Sequence, residues 1–377
     1  MNPADIYAVV QWWSILFLLG VGFLPLTFIL FDTFFDKGYI FSKLIGLVLT
    51  GYVVYVLGVI KLVPFNVFAI YIVFLVLVVG FAVVLPRRWR ILYVLKKYWP
   101  VFLIEELFFL IILMVWAYVH SFAPDIHGLE KYMDYGFINS FLRSDYLPAK
   151  DMWFTPFTIN YYYFGHLLTA MLTKMSGLSS ALTFNLMLST IVAFCFMQTF
   201  SIGANLYAKL AQNPAVKKVK LIVAGLLSAL LVTFAGNLHI LYSFFKPYKA
   251  DNPVPFWELQ FSPWQFTNGN FVINEYWYPN ATRFIYNTIH EFPIYSWVVA
   301  DLHGHVLDIP FVLLIIGLLL SLVFTHTQKN PDEEKKLQMF MVSPFFLVFT
   351  GLLLACMYMT NAWDGAIYLL LTGLVLF

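Results

Sequence analysis

The sequence predicts an all-α, polytopic membrane helical bundle, and three observations carry that prediction. Of 377 residues, 61% are apolar and only 11% charged, against about 25% charged and 45–50% apolar in a soluble domain. Mean hydropathy is +0.80. The apolar residues also gather in runs that match the roughly 20 residues a helix needs to cross hydrocarbon. Too little polar surface remains to wrap a water-facing globule, which excludes a soluble enzyme and a disordered chain. The net charge of +2, from 22 Lys and Arg against 20 Asp and Glu, excludes nucleic acid as a bulk electrostatic partner; membrane lipids are the expected surroundings. Cys195 and Cys356 both sit inside apolar runs, so neither a disulfide framework nor a thiolate metal site is on offer.

Complete spans are predicted over 9–31, 40–60, 64–85, 101–120, 180–207, 221–245, 305–325 and 340–360. A ninth apolar run, 366–377, is too short to cross and ends with the chain, as expected of a truncated C-terminus. The first run is not a cleaved signal peptide, because no basic residue precedes it and its apolar core is too long.

Basic residues favour the cytoplasmic side. Arg87, Arg88, Arg90, Lys96 and Lys97 share one loop without an acid, and Lys209, Lys217, Lys218 and Lys220 share another. The short polar stretch 328–338 fits a third. Segments 121–158 and 246–301 and the turn 361–364 then fall on the extracytoplasmic face. Between His120 outside and Lys209 inside, an odd number of crossings is required. Stretch 160–175 carries Asn160, His166 and Lys174 and is less apolar than 180–207. It is therefore expected to lie in the outer interface, where aromatic rings settle. Glu105 and Glu106 are expected to snorkel toward Lys96 and Lys97. With no charge pair expected inside the spans, a proton-coupled carrier is disfavoured.

The two long outer segments exceed the roughly 12–15 residues of a simple connection. They hold Trp153, Trp257, Trp264 and Trp277, so they are expected to fold on the membrane surface. Polar residues gather there in three clusters. In Glu130-Lys131-Tyr132-Met133-Asp134, a helix would put both carboxylates on one face. Their repulsion would spread their pKa values and divide base from phosphate or metal duty; a solvated helix with Lys131 as local partner fits the spacing too. The second cluster runs from His290-Glu291-Phe292-Pro293 to Asp301-Leu302-His303-Gly304-His305. Extended, it aligns Asp301, His303 and His305; as a helix, it pairs Asp301 with His305. Asp134, Asp301, His303 and His305 are candidates for a divalent metal ion, and protonated His also binds phosphate. The plainer alternative makes Asp301 an N-cap. The third cluster is Asn237, His239, Arg283 and Trp363-Asp364, each ordinary alone but all on the predicted outer face. Asn280-Ala281-Thr282 is a formal glycosylation sequon. No Gly-rich phosphate loop, HExxH or GxSxG is present, so ATP-driven transport has no engine here.

At Asn160-Tyr161-Tyr162-Tyr163-Phe164-Gly165-His166 the chain resembles the YYY family of uncharacterised prokaryotic multi-pass membrane proteins. Blocks starting at Glu130, Asn160 and Glu291, and NAWD at Asn361, carry the likeness, which covers roughly residue 124 to the C-terminus. That family in turn looks like the GT-C integral membrane glycosyltransferases, which take sugar from a polyprenyl-phosphate carrier. The resemblance implies N-terminal transmembrane helices over 1–99 and a GT-C-like domain over 100–377. It also implies an acidic motif opening the first large outer loop, then a short helix, a Tyr-rich helix and the next span. Here Lys131 follows Glu130 where such enzymes often have adjacent acids, leaving the base open between Glu130 and Asp134.

What the resemblance implies is transfer of a sugar from a polyprenyl-phosphate-linked donor to an acceptor on the outer face. Glu130 would be the base and Asp134 its support or a cation ligand. Arg283, His303 and His305 would face the lipid phosphate, oriented by Glu291 and Asp301. Tyr161, Tyr162, Tyr163 and Trp277 would stack on sugar or prenyl groups, with His166, Asn237, His239 and Asp364 lining the site. The rival expectation is a non-catalytic lipid or polymer translocator or binding scaffold, which needs the cavity but no base. Convergence of the Glu130 and His303 clusters separates the two.

Overall fold

The structure is a computed structural model that describes residues 2–85, 88–128, 130–211, 218–236, 282, 291–326 and 344–376. In chain order the helices are α1 (Pro3–Leu30), a 3-10 turn (Tyr39–Phe41), α2 (Ser42–Val59), α3 (Val67–Val84), α4 (Arg88–His120), α5 (Lys131–Arg143) and α6 (Phe164–Ser176). They continue with α7 (Ser180–Leu210), α8 (Lys218–Phe234), α9 (Pro293–Val299), α10 (Gly304–His326), α11 (Pro344–Thr360) and α12 (Ala362–Leu376). Among the described residues, six stretches are long and apolar enough to cross a membrane: α1, Tyr39–Val59, α3, Ile91–His120, α7 and Gly304–Thr325. With no named strand among the described residues, the chain is an all-α polytopic membrane bundle.

The bundle has an inside and a lipid side. In α7, 78% of the most apolar window is buried; in α3 only 22% is, although its window has the highest hydropathy, 3.1. Protein therefore surrounds α7, while α3 presents Val76, Val79 and Val83 outward, as lipid-facing side chains require. Helix α1 starts with a capping box in which Asn2 and Asp5 satisfy each other's backbone N–H. It meets α2 closely at Gly46, where a Cβ would stand 2.5 Å from the Leu19 carbonyl oxygen. Two compact units divide the chain: Met1–Ala229 with Asp301–Phe377, and Leu230–Ala300. In the second, Trp297 Nε1 donates to the Thr233 carbonyl at 3.0 Å.

Three expectations need correction. First, the basic residues from Arg88 to Lys97 are not in a loop; α4 is one helix of 33 residues running through them, Pro100 included. Second, α8 ends at Phe234, short of the span 221–245 expected there; α11 fills 344–360 of the expected 340–360, and 340–343 lie outside the described residues. Third, the residues of 160–175 that form α6 face protein rather than an open surface. Every residue of α6 except Lys174 is buried, and α1, α2, α3, α5, α7, α10 and α11 all pack against it. At 13 residues, about 20 Å, α6 is also too short to cross. Protein supplies partners for its two ionisable groups: Lys174 Nζ donates to the Leu142 carbonyl at 3.0 Å, and His166 Nε2 meets Asp134.

Glu105 and Glu106 likewise do not snorkel. Both are buried, and Glu106 binds the ammonium of Lys43. It also accepts from Trp13 Nε1 and from the Tyr39 hydroxyl, each at 2.7 Å. The spans thus do hold a buried ion pair. It is fixed because Trp13 from α1 and Tyr39 from the 3-10 turn both donate to Glu106 beside Lys43, which repays part of the cost of desolvating both charges.

Candidate functional site

The Glu130 and His303 clusters meet. Glu130 stands at the N-cap position of α5 without capping the helix, so its carboxylate is free to turn outward. Oε2 lies 2.8 Å from His303 Nε2, and Glu130 keeps 56% of its side chain exposed. The Tyr161 hydroxyl reaches the same ring nitrogen at 2.8 Å. On the other side of the ring, His303 Nδ1 faces His305 Nδ1 at 2.9 Å. One tautomer set satisfies these contacts: His303 Nε2–H donates to Glu130, and His303 Nδ1 accepts from His305 Nδ1–H. Burial, the first cause, pulls the His303 pKa below the ordinary imidazole value; Glu130 pulls it up and His305 down. A neutral His303 is what that tautomer set needs.

Asp134 lies one turn into α5, on the same face as Glu130 but beneath it, and is fully buried. Its Oδ1 meets His166 Nε2 at 2.8 Å, and the Phe137 ring packs on both Tyr161 and His166 at 5.7 and 5.6 Å. Burial pushes Asp134 up to about 7, against a hydrogen bond with Asp301 that lowers it, while Glu130 adds to the rise. Asp301 is also pushed up to about 7, by burial first and then by its hydrogen bond with Asp134 and that group's charge. Burial pulls His166 down to about 4, with the Leu302 backbone and Asp301 opposing. Burial thus favours the neutral forms of both carboxyls and of the imidazole over a His–Asp ion pair.

Chain geometry explains why these segments meet. Ala300 takes a left-handed conformation (φ 61°) that ends α9, and α10 begins four residues later at Gly304. The Tyr162 ring lies against Gly304, where a Cβ would come within 2.9 Å of Cδ2. The Tyr161 and Tyr162 rings pack at a tilt of 37°, centroids 4.0 Å apart. Tyr163 bonds Tyr55 on α2 at 3.0 Å instead. Asp364 accepts from Asn361 Nδ2 at 2.6 Å and faces Asp308 on the second turn of α10. Glu291 belongs to the second unit, where it accepts from Ser296 Oγ at 3.4 Å. Asn237, His239, Trp277 and Arg283, together with most of 246–301, lie outside the described residues.

The chain matches the family described as uncharacterized membrane protein (DUF2298) over residues 49–377. It belongs to that family. No curated protein matches it, and no solved structure does. The YYY resemblance agrees with this DUF2298 assignment at the level of a multi-pass membrane family, and the match begins well before residue 124.

Two residues of this DUF2298 site escaped sequence reasoning. Lys131 is half-buried, and burial pulls its ammonium below the usual range while Asp301 and Asp125 hold it up; it is a site cation, not only a neighbour of Glu130. Asp308 is fully buried, hidden within the apolar run of α10. A lone acid two turns into a span was the available signal. As for a divalent metal, no group of three or more His, Cys, Asp or Glu among the described residues is placed to hold one. The two histidines spend their facing nitrogens on each other, so no step is routed through a metal.

Proposed function

We propose that this DUF2298 protein is an integral membrane glycosyltransferase of GT-C type. It would move a sugar from a polyprenyl-phosphate carrier to an acceptor hydroxyl on the extracytoplasmic face. The observation that carries the reading is the direct contact of Glu130 with His303 and, through it, with Tyr161 and His305. An exposed carboxylate oriented by a neighbouring imidazole N–H suits a general base, whereas a passive scaffold needs neither.

In this reading Glu130 takes the acceptor's proton as its oxygen attacks the anomeric carbon and the bond to the carrier phosphate breaks. The carboxylate logic parallels that of glycosidases. His303 orients Glu130 through its Nε2–H and is itself held in that tautomer by His305. Lys131 and the histidines face the departing phosphate, whose growing charge they offset. Asp134 and Asp301 hold the floor of the site, and Tyr161 and Tyr162 offer a stacking surface for a sugar ring.

The test is mass spectrometry of lipid-linked sugars in cells with and without the gene. Loss of the gene should cause a polyprenyl-phosphate sugar to accumulate, and wild type should clear it while Glu130→Gln should not. Unchanged lipid-linked sugars on deletion would reject the reading.

A further inference from the structure

Far from the Glu130 site, the interior of the bundle holds more acid than base. Ser321, about 25 Å along α10 from Gly304, bonds Thr33 and the Leu30 carbonyl; the network that follows sits beside this turn. Asp36 accepts from Ser201 Oγ, from Asn205 Nδ2 at 3.1 Å and from the Gly38 N–H at 3.2 Å. Glu106 is saturated by Lys43, Tyr39 and Trp13. Glu105 is different. It is 3% exposed, and neither carboxyl oxygen has a hydrogen-bond partner within ordinary distance and angle.

A second buried group points into the same place. Helices α4 and α7 run antiparallel, as His120 with Asn185 and Phe109 with Phe194 show. One further turn sets Glu105 opposite Gln198, which is fully buried with both amide atoms unpartnered. The ionisable groups facing Glu105 are Asp36 and Tyr39 from the α1–α2 connection, Lys43 from α2 and Glu106 from α4 itself; α7 contributes Ser201, Asn205 and Gln198, none of which titrates. Three carboxyls against a single ammonium would leave two uncompensated charges, at a cost no bundle interior bears without a counter-ion.

We infer that Glu105 is a proton-binding site, its carboxylic acid hydrogen directed at Asp36 and its proton exchanged with the water that reaches Asp32 and Lys37. The proton is the occupant the neighbours favour. Asp36 already has three donors and needs only one more, and Lys43 would repel a metal cation. Asp32 and Lys37 keep 13% and 16% of their side chains exposed, which brings solvent to within a few residues of Asp36. The chain therefore carries an exchangeable proton remote from the Glu130 site, and the structure ties its loss to the α1–α2 connection and the α4–α7 seam.

Infrared spectroscopy of the full chain in lipid nanodiscs tests this. Wild type should show a protonated carboxylic C=O band at pH 7 that shifts in D2O. The Glu105→Gln variant should lose that component, and Asp134→Asn should keep it. Asp36→Asn removes the facing negative charge, so Glu105 should bind its proton about tenfold or more weakly, equivalent to about one pH unit in its titration. If Glu105→Gln does not fold, the Asp36→Asn shift decides. A spectrum unaltered by both substitutions overturns the proposal, as does a band that follows sodium or potassium concentration at constant pH.

Discussion

Glu130 Oε2 and His303 Nε2 lie 2.8 Å apart, joining the start of α5 to the residue before α10, and Tyr161 binds the same nitrogen. Glu130 is more than half exposed while Asp134 beneath it is fully buried. Of the two acids, only Glu130 can touch an acceptor without the site opening. In nanodiscs supplied with a polyprenyl-phosphate sugar, Glu130→Gln should therefore lower kcat by about 10²–10⁴ and leave KM nearly unchanged. His303→Ala should lower kcat less and raise KM, since it both orients the base and faces the phosphate. Wild-type turnover by Glu130→Gln would move the base elsewhere.

The Asp134–Asp301 pair predicts a pH dependence of stability. Both groups are raised from the ordinary carboxylate range to about 7, so the folded chain holds their protons more tightly than the unfolded chain does. That contribution is complete below about pH 4 and disappears as pH climbs through 7. Its size is of order a few kcal/mol, since each pH unit is worth about 1.4 kcal/mol. The unfolding temperature in detergent should fall between pH 5 and pH 8. Asp134→Asn should flatten the fall, and an equally steep curve for that variant would show the proton to be elsewhere.

The helices were legible because lipid leaves the backbone few choices: apolar runs become helices that satisfy their own hydrogen bonds. The acids of the site were legible for the complementary reason, since ionisable groups near a bilayer are costly unless used. What hid was anything decided by tertiary partners. Lone-sequence reasoning placed α6 at an interface because His166 and Lys174 looked wet, yet Asp134 and the Leu142 carbonyl give them partners. Glu105 and Glu106 looked ready to snorkel toward Lys96 and Lys97 on their own helix. Their partners, Lys43, Tyr39 and Asp36, come from the α1–α2 region, which no helical spacing could reveal.

The Lys43–Glu106 pair predicts an asymmetric mutational pattern. Lys43→Met alone leaves a buried carboxylate with only Tyr39 and Trp13 for donors, and should cost about 3–5 kcal/mol. Adding Glu106→Gln should recover much of that loss, because the amide oxygen still accepts from Tyr39 and Trp13 while the uncompensated charge is gone. Thermal unfolding of the single and double variants measures the difference. Equal stability of the two would mean that Glu106 is not charged in the folded chain.

The basic residues predict a membrane orientation. Lys150 is exposed in the segment between α5 and α6, which holds the approach to the Glu130 site. A cysteine at position 150 should react with a membrane-impermeant reagent in intact cells, and one at position 97 only after permeabilisation. The reverse pattern would put the site on the cytoplasmic face and remove the extracytoplasmic acceptor from the proposed reaction.

Gly304 stands between the two histidines, and space rather than backbone conformation fixes it. A Cβ there would lie 2.6 Å from the Thr360 carbonyl oxygen and 2.9 Å from the Tyr162 ring. The ring can turn, but the carbonyl belongs to the last turn of α11 and cannot move alone. Gly304→Ala should push the start of α10 away from α11, carrying His303 off Glu130 by a few tenths of an ångström or more. Such misplacement weakens a hydrogen bond that the proposed base depends on. The expected result is about a tenfold or greater loss of kcat with a much smaller loss of stability, because α10 below its first turn keeps its packing. Gly351, with open space around its Cβ position, provides the control: Gly351→Ala should change neither quantity. If Gly304→Ala turns over like wild type, the close approach of α10 to α11 does not set the position of His303.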